Sequence, residues 1–158
     1  MKNTGIRILT ALTLALLLAF AAAAAGETVI SDAASLAALM NDPAAWGGSY
    51  KLGADIDLAG KAQSPIGTYE TPFTGSFDGA GHTVSGLHIA AGEAAGLFGV
   101  TESASVRNLT VTGRAENTFA AETAETRVEG RYPGTGGLVG VALSGTTVEN
   151  CTSRVSVK

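Results

Sequence analysis

A short unit framed by glycines occurs twice in this chain, and a similar strand follows each copy. Gly96-Leu97-Phe98-Gly99 returns as Gly137-Leu138-Val139-Gly140, followed by Val106–Thr110 and Val148–Thr152 respectively. Repetition of short β-rich units constrains folding strongly, because each unit buries its apolar face only against its neighbours. The sequence therefore predicts stacked β rungs.

The spacing of the copies predicts a period of about 21 or 22 residues, a length typical of repeat architectures. Val84, which opens the weaker copy Val84–Ile89, precedes Val106 by one such period, and Val148 follows Val106 by two. One rung is then missing between the two strong copies, and the segment Thr112–Thr135 either forms it or replaces it. The Tyr132-Pro133-Gly134 exit of that segment predicts an excursion from the stack.

Residues 1–25 have the composition of a secretory signal peptide. Lys2 and Arg7 precede the apolar run Ile8–Phe20, and Ala21–Ala25 offers a cleavage site of small residues. The alternative is an uncleaved anchor, because Ile8–Ala25 contains no charge and is just long enough to cross a bilayer. The alanine-rich end favours cleavage and a secreted or cell-surface location.

The rest of the chain suits one glycine-rich domain. Without Lys2 and Arg7, eight basic residues remain against fourteen acidic ones, a net charge of −6. This charge makes nucleic acid an unfavourable partner. Cys151 is the single cysteine, so no internal disulfide can form. The repeat aligns Cys151 with Leu109 and Leu87, which predicts a small apolar residue in an inward stack rather than a reactive thiol or a metal ligand.

The domain is predicted to begin with a cap at residues 26–49 and to continue as a β stack over residues 50–158. Asp32–Met40 has the pattern of a short amphipathic helix with Ser31 or Asp32 as N-cap. Tyr50–Leu58 alternates apolar and polar residues and is predicted to form the first full strand. The glycines Gly96, Gly99, Gly137 and Gly140 are predicted to occupy rung corners.

Three carboxylates are the candidates for metal binding or acid–base chemistry. Asp55 and Asp57 share one face of the predicted strand, and Asp78 is expected nearby in the stack. A helix-loop-helix calcium loop is excluded because its fifth and twelfth positions would be Ala59 and Ile66. The favoured interpretation is a solvated strand face, so we expect no cofactor and no change in melting temperature with millimolar calcium.

Other catalytic signatures are missing from the sequence. Gly79-Ala80-Gly81 opens like a dinucleotide fingerprint, but Val84 occupies the last glycine position, so a turn is predicted. His82 and His88 have no companion at metal-ligand spacing, and His88 is expected to point outward. Neither H-E-x-x-H nor G-x-S-x-G occurs, which argues against a zinc protease or a serine hydrolase within these residues.

These elements together resemble the bacterial extracellular proteins that carry the GLUG motif. The resemblance rests on Tyr50–Leu58, Ile66-Gly67, Phe73–Leu87, Gly96–Gly99 and Val106–Val111, with Gly137–Thr152 as a second unit. It implies a right-handed parallel β-helix, an all-β solenoid, in a secreted or surface-attached protein. Such proteins include adhesin-like chains and the N-terminal regions of IgA-cleaving metallopeptidases. The motif itself supplies no catalytic residue.

Asn108 and Asn150 occupy the same repeat position and each begins an N-x-T triplet. Glycosylation is one interpretation of these triplets. A ladder of stacked Asn side chains at a β-helix corner is the other, and the bacterial resemblance favours it.

The sequence predicts a scaffold or adhesin-like stalk that is not an enzyme. We expect it to bind an unidentified surface glycan or protein, with Gly113–Pro133 as the first place to look for contacts. No cap follows the last predicted strands, which suggests further rungs beyond Lys158 or end-to-end association. The alternatives are the leader of a secreted peptidase, or a carbohydrate-binding or polysaccharide-active β-helix.

Overall fold

The computed structural model describes residues 26–118 and 133–158, so the predicted signal peptide and residues 119–132 lie outside the described part. In chain order the elements are β1 (Thr28–Ile30), α1 (Ala33–Met40), a 3-10 turn (Pro43–Ala45), β2 (Ser49–Leu52), β3 (Ile56–Asp57), β4 (Ser76–Asp78), β5 (Thr83–Ala91), β6 (Ala94–Ala95), β7 (Phe98–Thr101), β8 (Ser105–Arg107), β9 (Thr110–Asn117), β10 (Gly134–Thr135), β11 (Val139–Ala142), β12 (Thr147–Glu149) and β13 (Thr152–Val157).

The strands stack in parallel to form an all-β, β-helix-like fold. One sheet has the order β1-β2-β4-β8-β12 and a second has the order β3-β5-β9-β13. Two short sheets, β6-β10 and β7-β11, complete the rungs. Every paired strand runs parallel to its neighbour, so successive turns of the chain lie directly on one another.

Large apolar side chains fill the space inside the rungs. Phe73, Phe77 and Phe98 are completely buried, and the ring centre of Phe98 lies 5.0 Å from that of Phe73 and 5.4 Å from that of Phe77. Val106 continues the Phe77 column on the next rung. Burying one such aromatic side chain contributes about 1.5–3 kcal/mol, so this cluster is a main source of the stability of the stack.

The predicted short helix before the stack is present as α1. The Asp32 carboxylate accepts a hydrogen bond from Ser35 N at 2.7 Å and so caps the first turn. The helix buries Leu36, Leu39 and Met40 against the core. Within the described residues, no helix is long and apolar enough to span a membrane.

The predicted constant period is wrong for most of the stack. It holds for the step from Ile30 to its partner Leu52. The following steps in the same sheet are all longer, because Tyr50 pairs with Phe77, Phe77 with Val106, and Val106 with Val148.

The strands β8 and β12 pair directly, so no rung lies between them in this sheet. The described ends of the segment Thr112–Thr135 belong to β9 and β10, and the predicted excursion falls mainly on residues 119–132, outside the described part. Val84 pairs with Val111 and not with Val106. The prediction therefore aligned the weak copy with the wrong strand.

Tyr50–Leu58 is not one strand but two strands in different sheets. β2 ends at Leu52, and β3 begins at Ile56 after a corner. The alternation of buried and exposed side chains continues through the corner, with Leu52, Ile56 and Leu58 buried. Periodicity alone therefore could not reveal the change of sheet.

The glycines of the repeated unit are not left-handed corner residues. Gly99 lies inside β7 and Gly140 inside β11, while Gly96 and Gly137 stand at bends just before these strands. The left-handed corners fall elsewhere, at residues that include Ala59, Gly60, Gly67, Ala80, Gly81, Ser103, Asn108, Gly145 and Asn150.

Close packing between rungs explains the glycine at position 99. A Cβ atom at this position would overlap the carbonyl oxygen of Gly67, which belongs to the neighbouring rung. Real Cβ atoms do not approach a backbone oxygen so closely, so one of the two rungs would have to move. Gly99 of the repeated unit thus lies where the backbones of two neighbouring rungs touch.

The inward valines of the last described rung are open to solvent. Val148 is 46% exposed and Val157 is 48% exposed, although their counterparts one rung earlier, Val106 and Ala115, are completely buried. End-to-end association through this rung stays a prediction.

A glycine-to-alanine pair tests the close contact at Gly99. Gly99→Ala is expected to lower the free energy of unfolding by about 2 kcal/mol, because the added methyl group overlaps the Gly67 carbonyl. Gly92→Ala is the matched control, because a Cβ there meets no atom within 4 Å, and its effect should stay within about 0.5 kcal/mol. Urea unfolding of both variants measures the difference. Equal stabilities would contradict the assigned contact.

Candidate functional site: the polar column at the rung corner

A column of short polar side chains follows three neighbouring strands of the five-stranded sheet. Asp78 is the last residue of β4, and Asn108 and Asn150 come directly after β8 and β12. The backbone of Asn108 and Asn150 is left-handed, with φ of 53° and 51°. Asn tolerates this conformation better than most residues, which explains its presence at both corners.

Side-chain hydrogen bonds join the column from rung to rung. Asn108 Nδ2 donates to Asp78 Oδ1 at 3.0 Å, and Asn150 Nδ2 donates to Asn108 Oδ1 at 3.4 Å. The first contact is a charge-assisted hydrogen bond, and the second is at the long end of the accepted range. The structure thus contains the side-chain ladder that the repeat suggested, with Asp78 as an additional member.

Asp78 is the one carboxylate of this column, and both of its oxygens accept hydrogen bonds. Its Oδ1 also accepts from Ala80 N at 2.8 Å, and its Oδ2 accepts from Arg107 Nε at 3.0 Å. The Asn108 side chain, followed by the Ala80 backbone amide, lowers the pKa of Asp78 from its usual value. These hydrogen bonds favour the ionised carboxylate, although the burial of its side chain, which is only 16% exposed, opposes ionisation.

The other two acidic candidates serve separate local structures. Asp55 Oδ1 accepts from Thr83 N at 2.8 Å and lies 3.2 Å from His82 Nδ1. The Thr83 amide, and then His82, lower the pKa of Asp55. Asp57 Oδ1 accepts from Ala59 N at 2.8 Å and shapes the following corner.

The structure therefore does not unite Asp55, Asp57 and Asp78 around a common centre. Each carboxylate holds a different backbone amide at 2.8 Å. In the ranges 26–118 and 133–158, no group of three or more His, Cys, Asp or Glu side chains is arranged to hold a metal ion. The hydrogen bonds of these three carboxylates hold turns in place between parallel rungs.

The histidines also bridge neighbouring rungs. His88 lies between the buried residues Leu87 and Ile89 and points outward, as its position in the strand predicted. Its Nδ1 is 3.1 Å from the Gly60 carbonyl oxygen, and Arg114 Nη2 lies 2.7 Å from its Nε2. Sequence reasoning did not pair Arg114 with His88, because it aligned the copy Val84–Ile89 with the strand at Val106 and not with β9.

Cys151 packs against the core and is half-buried, as its alignment with Leu109 predicted. Its Sγ lies 3.2 Å from the carbonyl oxygen of Glu149. Burial is the largest influence on the thiol and raises its pKa, which disfavours the reactive thiolate. The alignment with Leu87 was wrong, because Leu87 pairs with Gly113.

Comparison with known proteins supports the GLUG resemblance. Residues 132–158 match the family model described as the GLUG motif, which confirms the resemblance for the second repeated unit and the strands after it. The chain is also 36% identical over 104 residues to halomucin of Haloquadratum walsbyi. This similarity covers 53% of this chain but only 1% of halomucin. No solved structure matches the chain.

The lowered pKa of Asp78 gives a prediction with a defined pH dependence. The carboxylate adds stability above the unfolded-state pKa near 3.8, and this stability is lost as the pH falls through the lower folded-state pKa. Asp78→Asn should therefore lower the free energy of unfolding by about 1.5 kcal/mol near neutral pH, with a smaller effect in acid.

Urea unfolding of both proteins over a series of pH values measures this effect. The difference between wild type and variant should shrink steadily as the pH falls below the unfolded-state value. A difference that is independent of pH would show that the charge of Asp78 does not stabilise the corner.

Proposed function

We propose that this chain is a non-catalytic segment of a secreted or cell-surface protein, in which a right-handed parallel β-helix serves as an adhesin-like scaffold. In this proposal residues 1–25 direct export, residues 26–49 form the cap, and residues 50–158 form the stack with its GLUG units. The main support is the match of residues 132–158 to the GLUG motif, in a chain whose described strands all stack in parallel.

The use of the acidic side chains also supports a structural role. A catalytic carboxylate must reach a substrate proton or a reacting carbon atom. Here Asp55, Asp57 and Asp78 accept hydrogen bonds from the backbone amides of their own or the neighbouring rung. Carboxylates engaged in this way stabilise corners, and a stable stack of corners presents outward side chains in regular rows.

The similarity to halomucin supports a role within a much longer protein. The matched stretch, which is 53% of this chain, covers 1% of that relative. A stack of this kind extends by adding rungs, each of which contacts only its neighbours.

The partner in this proposal is a glycan or a protein at a cell surface. Without residues 1–25 the chain has a net charge of −6, which is unfavourable for binding nucleic acid. The segment Gly113–Pro133 remains the proposed contact region on sequence grounds, and residues 119–132 of it lie outside the described part.

Two measurements on the full-length chain expressed in a bacterial host test the proposal: the location and mass of the product, and its activity on polysaccharides and proteins. We expect a product outside the cytoplasm whose mass corresponds to a start near residue 26. We expect it to release no reducing ends from neutral or acidic polysaccharides and no peptides from protein substrates, because its acidic side chains are held in corners.

The scaffold role would be contradicted by turnover with a specific pattern. The double variant Asp55→Asn with Asp57→Asn would abolish that turnover, and the exposed control variant Glu102→Gln would retain it. Such turnover would favour the polysaccharide-active alternative. Retention of the full-length chain in the cytoplasm would contradict the predicted export.

A further inference from the structure

Two strands at one end of the described stack each have a free edge. β12 and β13 are terminal strands of their sheets, and within residues 26–118 and 133–158 they pair only with β8 and β9. Beside these edges, Val148 and Val157 are 46% and 48% exposed, although Val106 and Ala115 one rung earlier are completely buried. Unpaired backbone groups next to exposed apolar side chains form a template on which another strand can pair.

A row of outward charges with alternating sign leads to one of these edges. In order along the five-stranded sheet, each residue pairing with the one before it, the row consists of Lys51, Asp78, Arg107 and Glu149. Arg107 Nε already donates to Asp78 at 3.0 Å, whereas the Glu149 carboxylate has no ion pair or hydrogen bond with any described residue. The alternation therefore favours a basic group as the next neighbour of Glu149.

A basic side chain of this kind lies on the second free edge. Arg154 is an exposed residue of β13, opposite Thr112, and its guanidinium group makes no hydrogen bond or ion pair with the described part of the chain. Glu149 and Arg154 belong to different sheets, on either side of the corner at Asn150. Both charges are therefore available to a partner that covers the two edges at once.

A two-fold axis through this corner places the two edges of one copy of the chain against those of a second copy. When β12 of one copy runs antiparallel to β13 of the other with Glu149 opposite Arg154, Val148 lies opposite Val155. Both valines face inward, since Val148 continues the buried Val106 column and Val155 packs against the core. The two-fold axis repeats the charge pair and the apolar pair, so the surface is complementary to itself.

We propose that the rung formed by β12 and β13 is a dimerisation surface whose partner is a second copy of the same chain, bound tail to tail. The contact continues the strand pairing that already joins the rungs, with the added strands antiparallel. The rung covers residues 133–158, and a standard protein interface uses about 20–30 residues of each partner. Because both copies use the same surface, assembly stops at two chains.

Sedimentation velocity of the full chain, purified after export, measures the association over a series of protein concentrations. A thiol reductant is present throughout, so that the free Cys151 cannot link two chains covalently. We expect a reversible equilibrium between monomer and dimer, with no larger species at the highest concentration, because a two-fold contact is closed.

Charge reversal tests the assigned register. Glu149→Arg and Arg154→Glu should each weaken dimerisation at least about tenfold, because each variant places like charges opposite one another twice in the dimer. The double variant Glu149→Arg with Arg154→Glu exchanges the two charges and should return the dissociation constant to within about threefold of the wild-type value. Lys61→Glu, an exposed reversal beside β3 at the opposite end of the second sheet, is the matched control and should leave dimerisation unchanged.

Urea unfolding of each variant shows whether it is folded before its association is measured. Where a reversal unfolds the chain, Arg154→Gln takes its place. This milder variant should weaken dimerisation by about fivefold, because the charge pair is lost on both sides of the two-fold axis.

The outcomes separate this inference from the proposed function, which does not depend on self-association. A chain that stays monomeric at every concentration would overturn the tail-to-tail interface and favour a strand of another protein as the occupant. Oligomers larger than a dimer, a dimer that the single reversals leave unchanged, or one that the double reversal fails to restore would overturn it as well. The scaffold proposal stands in each of these cases, because it rests on the GLUG match and the parallel stack.

Discussion

The whole structure depends on parallel backbone pairing between successive rungs that lie directly on one another. Phe77 pairs with Val106 and Val106 with Val148, so each inward side chain packs on its counterpart in the next rung. Such stacking requires that adjacent backbones approach closely along the entire turn. Gly99 satisfies this requirement inside a strand, where any larger residue would overlap the Gly67 carbonyl oxygen.

The same stacking determines what the polar residues can do. At the corner after the five-stranded sheet, Asn150 donates a hydrogen bond to Asn108 on the neighbouring rung, and Asn108 donates one to Asp78, whose backbone pairs with Arg107. The Asp78 carboxylate accepts hydrogen bonds from its own turn and from the next rung.

Sequence patterns predicted the local features well, because these depend on neighbouring residues. The inward and outward alternation of Tyr50–Leu58, the helix before the stack and the packing of Cys151 against the core follow from periodicity and composition. The register followed only for the two strong copies, where Val106 pairs with Val148. The steps from rung to rung differ because the loops between strands differ in length, and short strands such as Val84–Ile89 resemble several others equally well.

The direct pairing of β8 with β12 is the central claim, because it decides that the repeated units occupy adjacent rungs. A nuclear Overhauser spectrum of the isotope-labelled chain tests it most directly. We expect contacts between the backbone of Thr147–Glu149 and that of Ser105–Arg107, and between Thr152 and Thr110. Contacts of Thr147–Glu149 with residues 126–128 in place of Ser105–Arg107 would show an intervening rung, and would contradict the stack described above.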